Sequence, residues 1–159
     1  MICEKILGNL SQEQYAGCQV DYVEIEWHEA FKKIHLKKSS CGNEIRVRLD
    51  NWVLTRGIRE GDILYQEGDY VAAVHIPECD CLVIKVAEGH LQQAFKVCYE
   101  IGNKHAALFY GAGPQEFITP YQAPTLDMLQ KIHGVSVKRA MVKLDFDKSI
   151  ASAIHNHTH

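Results

Sequence analysis

The sequence predicts an α+β protein: a small antiparallel β domain, then a βαββαβ unit, then a histidine-containing tail expected to be mobile. Three observations predict it. Short β-rich runs broken by turn residues fill the first half, helical periodicity enters only after residue 80, and apolar residues thin out past Leu144. With 159 residues and 47% hydrophobic composition, the chain holds enough apolar material for one ordinary core or two small ones.

Residues 20–25, 34–37 and 44–49 are β-rich runs bounded by turn signals and read as strands. The run 54–58 follows, then the turn Glu60-Gly61-Asp62, the run 63–65, a second turn Glu67-Gly68-Asp69, and the run 70–76. Turns at such short intervals favour antiparallel pairing in a small β domain. Pro77, with Glu78 and Asp80 close behind, interrupts the pattern as a linker would. The expected division is a β-rich domain over 1–77, a second domain over 78–145 and a tail over 146–159.

Residues 81–86 are mostly apolar, as in a buried strand, and Leu91, Ala94, Phe95, Cys98 and Ile101 then recur at the offsets of one helical face. Gly102 is expected to close that helix, because glycine enters the left-handed region without steric cost. Residues 106–110 and 116–119 form a hairpin about Gly111-Ala112-Gly113-Pro114. Pro124 suits the first turn of a second helix, where its missing N–H costs nothing, with Leu126, Leu129 and Ile132 facing inward before Gly134. Residues 135–144 are the last strand. The order is ferredoxin-like: a four-stranded antiparallel sheet with two helices on one face. From Phe146 the chain turns polar and has little left to pack.

The charge argues against several function classes. A formal net charge of -3, from 17 basic and 20 acidic residues well mixed along the chain, offers no sustained positive field to a nucleic acid. No apolar run approaches the roughly 18 residues of a membrane span, and the first residues lack the basic-then-apolar pattern of a secretion signal. The expected compartment is therefore the cytoplasm, with no membrane partner. Six cysteines then read as reduced thiols. No CxxC pair occurs, and Cys79-Asp80-Cys81 matches no zinc-ribbon or finger spacing. The absence of GxSxG, GxxxxGK[ST], HExxH and GxGxxG leaves enzymatic chemistry without local support.

Nine histidines are many for this length, and three of them form the closing His155-Asn156-His157-Thr158-His159. Imidazole suits nickel, copper and zinc, and alternation along an extended segment puts three rings on one side. The plainer alternatives are a solvated polar tail or an expression tag, although tags are usually uninterrupted histidine runs. A tail that orders on binding pays entropy, which favours exchange over permanent capture. A second constellation is Gly102-Asn103-Lys104-His105, at the handover from helix to strand. Alone, a histidine there is more often a capping or core residue. Two copies of His105 meeting on the axis of a homodimer, with tail histidines from either chain, would instead complete a metal shell.

Gly102-Asn103-Lys104-His105, after an amphipathic helix and before an apolar strand, resembles the GN[RK]H signature of the UreE family, the urease accessory nickel chaperones. Gly61-Asp62-Ile63-Leu64-Tyr65, His133-Gly134-Val135-Ser136-Val137 and the histidine-bearing C-terminus are also similar, so the resemblance spans nearly the whole chain. It implies a β domain that contacts partner proteins, a ferredoxin-like domain that dimerises and binds metal, and no enzyme activity. Ni(II) is the implied cargo, with Zn(II) and Cu(II) as competitors for the same imidazoles. His105 is the implied interface ligand, and His155, His157 and His159 carry over more loosely. A further HxH present in some members is replaced here by Tyr121-Gln122-Ala123-Pro124. The implied partners are a second copy of the chain in a homodimer, with dimer or metal-linked tetramer left open, the urease-maturation GTPase, and apo-urease with its other accessory proteins. A protein-binding assembly factor without metal delivery is the alternative function.

Overall fold

The structure is a computed structural model that describes residues 1–150; its contacts divide the chain into two compact units, one of Met1–Pro77 and one from Glu78 onward. The first unit holds β1 (Ile2–Cys3), β2 (Gln19–Glu24), β3 (Ile34–Lys38), β4 (Glu44–Arg48), the single helical turn α1 (Val53–Arg56), β5 (Ile63–Glu67) and β6 (Tyr70–His75). They form two three-stranded sheets ordered β1-β4-β3 and β2-β6-β5. Alternation decides the buried faces, with Ile45 and Val47 inward and Glu44, Arg46 and Arg48 outward along β4.

The sheets are mixed, which corrects the expectation of an antiparallel domain. β1 pairs parallel with β4, and β2 pairs parallel with β6 over six positions. Closely spaced turns specify the hairpins β3–β4 and β5–β6, which are antiparallel. The parallel partners lie far apart in the chain, and their pairing leaves no local mark on the sequence. The run 54–58 also departs from its β-rich reading, since Val53–Arg56 makes one helical turn.

Two buried carboxylates tie this unit together. Asp21 on β2 accepts hydrogen bonds from Tyr70 Oη at 2.7 Å, Ser40 Oγ at 2.8 Å, the Cys41 amide at 2.9 Å and Asn43 Nδ2 at 3.1 Å, fastening the β3–β4 loop to the other sheet. Burial raises its carboxyl, but bonds from Ser39, Tyr70, the Cys41 N–H and Ser40 outweigh that and hold it well below the carboxylate range. Tyr70 is pushed up to about 12 by burial and by the Asp21 carboxylate. Asp62, fully buried, receives a two-pronged guanidinium contact from Arg56 at 2.7 and 3.0 Å, the Arg59 amide at 2.8 Å and Asn9 Nδ2 at 3.2 Å.

The second unit holds β7 (Cys79–Val86), α2 (Leu91–Asn103), β8 (Phe109–Tyr110), β9 (Glu116–Pro120), α3 (Ala123–Leu129) and β10 (Val135–Val142). Its four strands are ordered β10-β7-β9-β8, and every adjacent pair is antiparallel. Leu82, Ile84 and Val86 alternate onto one face of β7, where they pack with Ala94, Val97 and Ile101 of α2 and Leu129 of α3. Both helices therefore cover the same face. The chain past Leu144 holds more structure than its polarity suggests. Phe146–Lys148 makes a 3-10 turn capped by the Asp145 side chain, and the Ile150 amide donates to Leu108 O at 2.9 Å while its side chain packs partly on the core.

Candidate metal centre

The helix α2 runs to Asn103, one residue past the glycine expected to stop it. Its last carbonyls are met by the chain that follows. The His105 amide donates to Gly102 O at 2.9 Å and the Ala106 amide to Ile101 O at 3.3 Å. This pair of bonds is a Schellman motif, whose turning residue must adopt left-handed backbone angles. That residue is His105, with φ of 54°, and Gly102 has no positive φ. An L-residue here costs about 1–2 kcal/mol, although histidine enters the region more readily than most. Such strain persists where surroundings over-determine it, and it gathers at functional sites. The ladder of α2 and the strand beyond fix both ends of this turn, so they set where the imidazole sits.

His105 is exposed, as are Gly102, Asn103 and Lys104 before it. The face of α2 leading toward it is apolar and uncovered in the single chain. Ala94, Val97 and Ile101 are the inward residues, whereas Leu91, Phe95 and Tyr99 are 55%, 66% and 69% exposed. Leu91 and Phe95 thus depart from their expected place in the core. The inward stripe is centred on Ala94, Val97 and Ile101, and at 100° per residue Leu91, Phe95 and Tyr99 form a second stripe on its flank. Beside Leu91 and Phe95, with Cys98 and Tyr110, runs a groove of about 410 Å³. An apolar stripe of this kind marks an interaction surface.

Other groups divide into structural and available donors. Cys79 and Cys81 lie on one side of β7 with their sulfurs 3.4 Å apart, and Cys79 Sγ also reaches Val142 O at 3.7 Å. The hydrogen bond to Cys79, with burial, pushes the Cys81 thiol far above its ordinary range, so Cys81 stays protonated. His35 is buried and its Nε2 bonds Lys32 O at 3.0 Å; burial lowers its pKa, partly offset by that bond, which marks a core imidazole. His155, His157 and His159 lie outside the described residues. Among the described residues, no three His, Cys, Asp or Glu side chains converge as a metal cluster. One pairing has no sequence signal at all: His90 and His133, distant in the chain, bring their ring centroids to 5.5 Å.

These features define a class of molecule, an α+β protein that presents a surface imidazole at the strained end of a helix with an uncovered apolar face. Comparison with known proteins narrows the class. The model of the N-terminal domain of the UreE urease accessory protein matches residues 3–76. A urease accessory protein UreE from Acetivibrio thermocellus is 38% identical over 161 residues, covering the full length of both chains. That of Helicobacter pylori strain G27 is 41% identical over 145 residues, 91% of this chain and 83% of the relative. That of Helicobacter acinonychis is 38% identical over 157 residues, 98% and 90% of the two chains. The chain belongs to the UreE family of urease accessory proteins. Among the described residues, no helix is long and apolar enough to cross a membrane.

Proposed function

We propose that the chain is a urease-maturation factor, a cytoplasmic nickel carrier and not an enzyme. Its ferredoxin-like second unit dimerises, and the homodimer takes up Ni(II) at its two-fold axis through paired His105 side chains. Tail histidines His155, His157 and His159 close and open the shell. The nickel passes to the urease-maturation GTPase, which carries it to apo-urease held by the other accessory proteins, and the β-sheet unit serves as the partner-binding part. Zn(II) and Cu(II) compete for the same imidazoles.

The observation that carries this reading is the backbone of His105. A solvent-facing histidine held at positive φ, where glycine would cost less, is hard to explain by folding alone. Membership of the UreE family and the uncovered stripe of α2, suited to a second copy of the chain, support it. Nickel titration by calorimetry with light scattering, on the full chain, His105→Ala and a version ending at Ile154, tests it. About one tight nickel per dimer is expected by two-fold symmetry, lost in His105→Ala and weakened by truncation. Equal binding by all three, with nickel-independent capture of the GTPase, would reassign the chain as a protein-binding assembly factor without metal delivery.

A further inference from the structure

His90 and His133 sit on opposite sides of the second unit's chain order yet meet at one end of its helical layer. His90 is the residue before α2, and His133 lies between α3 and β10. Their rings are 5.5 Å apart between centroids and inclined at 60°. Both are fixed by their surroundings. His90 Nδ1 hydrogen-bonds to Glu88 O at 3.0 Å, so it carries the proton and leaves the Nε2 lone pair free. Gly134 follows His133 at φ of 76°, and a Cβ there would come within 2.6 Å of His90 Cδ2 and 3.2 Å of its Nε2. The Cδ2–Cγ edge of the His90 ring is therefore pressed against the backbone that carries His133, with Nε2 somewhat further off. His133 is exposed, and among the described residues its ring nitrogens have no hydrogen-bond partner.

We infer that His90 and His133 form a second, two-imidazole site for a borderline divalent cation, independent of His105. A ligating histidine usually donates its other ring N–H to a carbonyl or carboxylate, which fixes the tautomer and raises ligand basicity, and the Glu88 carbonyl does this for His90. The close approach at Gly134 supplies the preorganisation that a surface histidine pair otherwise lacks. With two protein ligands, water fills the remaining positions, so the site exchanges its ion readily. Cu(II), Ni(II) and Zn(II) are the ions that imidazole nitrogen selects, and hard cations such as Mg(II) and Ca(II) are not.

The test is Zn(II) titration of the full chain followed by imidazole ¹H–¹⁵N correlation NMR, which reads each histidine separately. The resonances of His90 Nε2 and of His133 are expected to shift together and to keep shifting in His105→Ala. In His133→Gln the His90 shift is expected to be lost while the spectrum stays folded, and Mg(II) is expected to move neither ring. If His90 and His133 stay unmoved by Zn(II), or His90 still shifts fully in His133→Gln, the two-ligand site is overturned. A packing role alone would lower the stability of His133→Gln without any zinc-linked shift. Loss of the response in His105→Ala alone would assign the signal to the His105 centre and equally overturn the inference.

Discussion

His105 occupies a position at which nearly every substitution except glycine keeps the strain. His105→Gly is expected to raise stability by about 1 kcal/mol in urea denaturation, because it removes the left-handed penalty at the turning residue. The same change is expected to abolish nickel uptake. A variant that gains stability while losing function separates strain held for a ligand from strain that merely caps a helix. If His105→Gly destabilised the protein, the imidazole would be holding the turn itself. His35 behaves in the opposite way. Its folded pKa is depressed by burial, so the unfolded chain binds more protons below the ordinary histidine value. The contribution is fully present above about pH 6.5 and is lost as pH falls toward the lowered folded value. His35→Gln, which can still donate to Lys32 O, is expected to flatten the stability–pH curve just below pH 6.5, as read by denaturation midpoints.

At the scale of elements, one carboxylate gathers several donors of the β3–β4 loop. Asp21→Ala leaves the Tyr70 hydroxyl, the Ser40 hydroxyl, the Cys41 amide and the Asn43 amide without their shared acceptor, and is expected to cost about 3 kcal/mol. Its folded pKa is depressed, so this stabilisation is present above about pH 4 and is lost as pH falls below that value. Equilibrium unfolding from pH 7 to 3 should show a steep acid loss in the wild type that is much reduced in Asp21→Ala. The elements themselves were legible unevenly. Strand and helix runs after residue 80 follow from a period that changes from 2 to 3.6, and Pro124 stands in the first turn of α3 where steric rules put it, whereas α3 ends at Leu129, well before the Gly134 expected to stop it. The parallel pairings β1–β4 and β2–β6 were not legible, since strand partners distant in sequence carry no local pattern. Gly102 misled for a related reason: a helix stop is set by which carbonyls find donors, and here the last ones are met by His105 and Ala106. The candidate site was legible as a residue and a junction. Its backbone strain and the His90–His133 approach were not, because both depend on coordinates that only the folded chain supplies.

For the whole molecule, the proposed metal shell of paired His105 side chains would exist only in a dimer. Nickel affinity and association would then be linked: each nickel bound would stabilise the dimer, and each dimer lost would remove a site. The uncovered stripe of Leu91, Phe95 and Tyr99 is the surface whose burial would drive association, at about 25 cal/mol per Å² of apolar area. Phe95→Asp leaves His105 and the tail untouched, and because the side chain is already exposed, the monomer should fold normally. It is expected to run as a monomer by light scattering and to lose tight nickel binding, with nickel at high concentration partly restoring the dimer. Lowering the pH should have a parallel effect on the wild type, since imidazole must be neutral to ligate, and nickel affinity is expected to fall as the solution is acidified. The two losses differ in one respect. Acid is expected to weaken nickel binding while leaving a metal-free dimer, whereas Phe95→Asp is expected to remove the dimer first. A Phe95→Asp monomer that bound nickel with wild-type affinity would break the link between symmetry and metal, and the shell would have to be assembled within one chain.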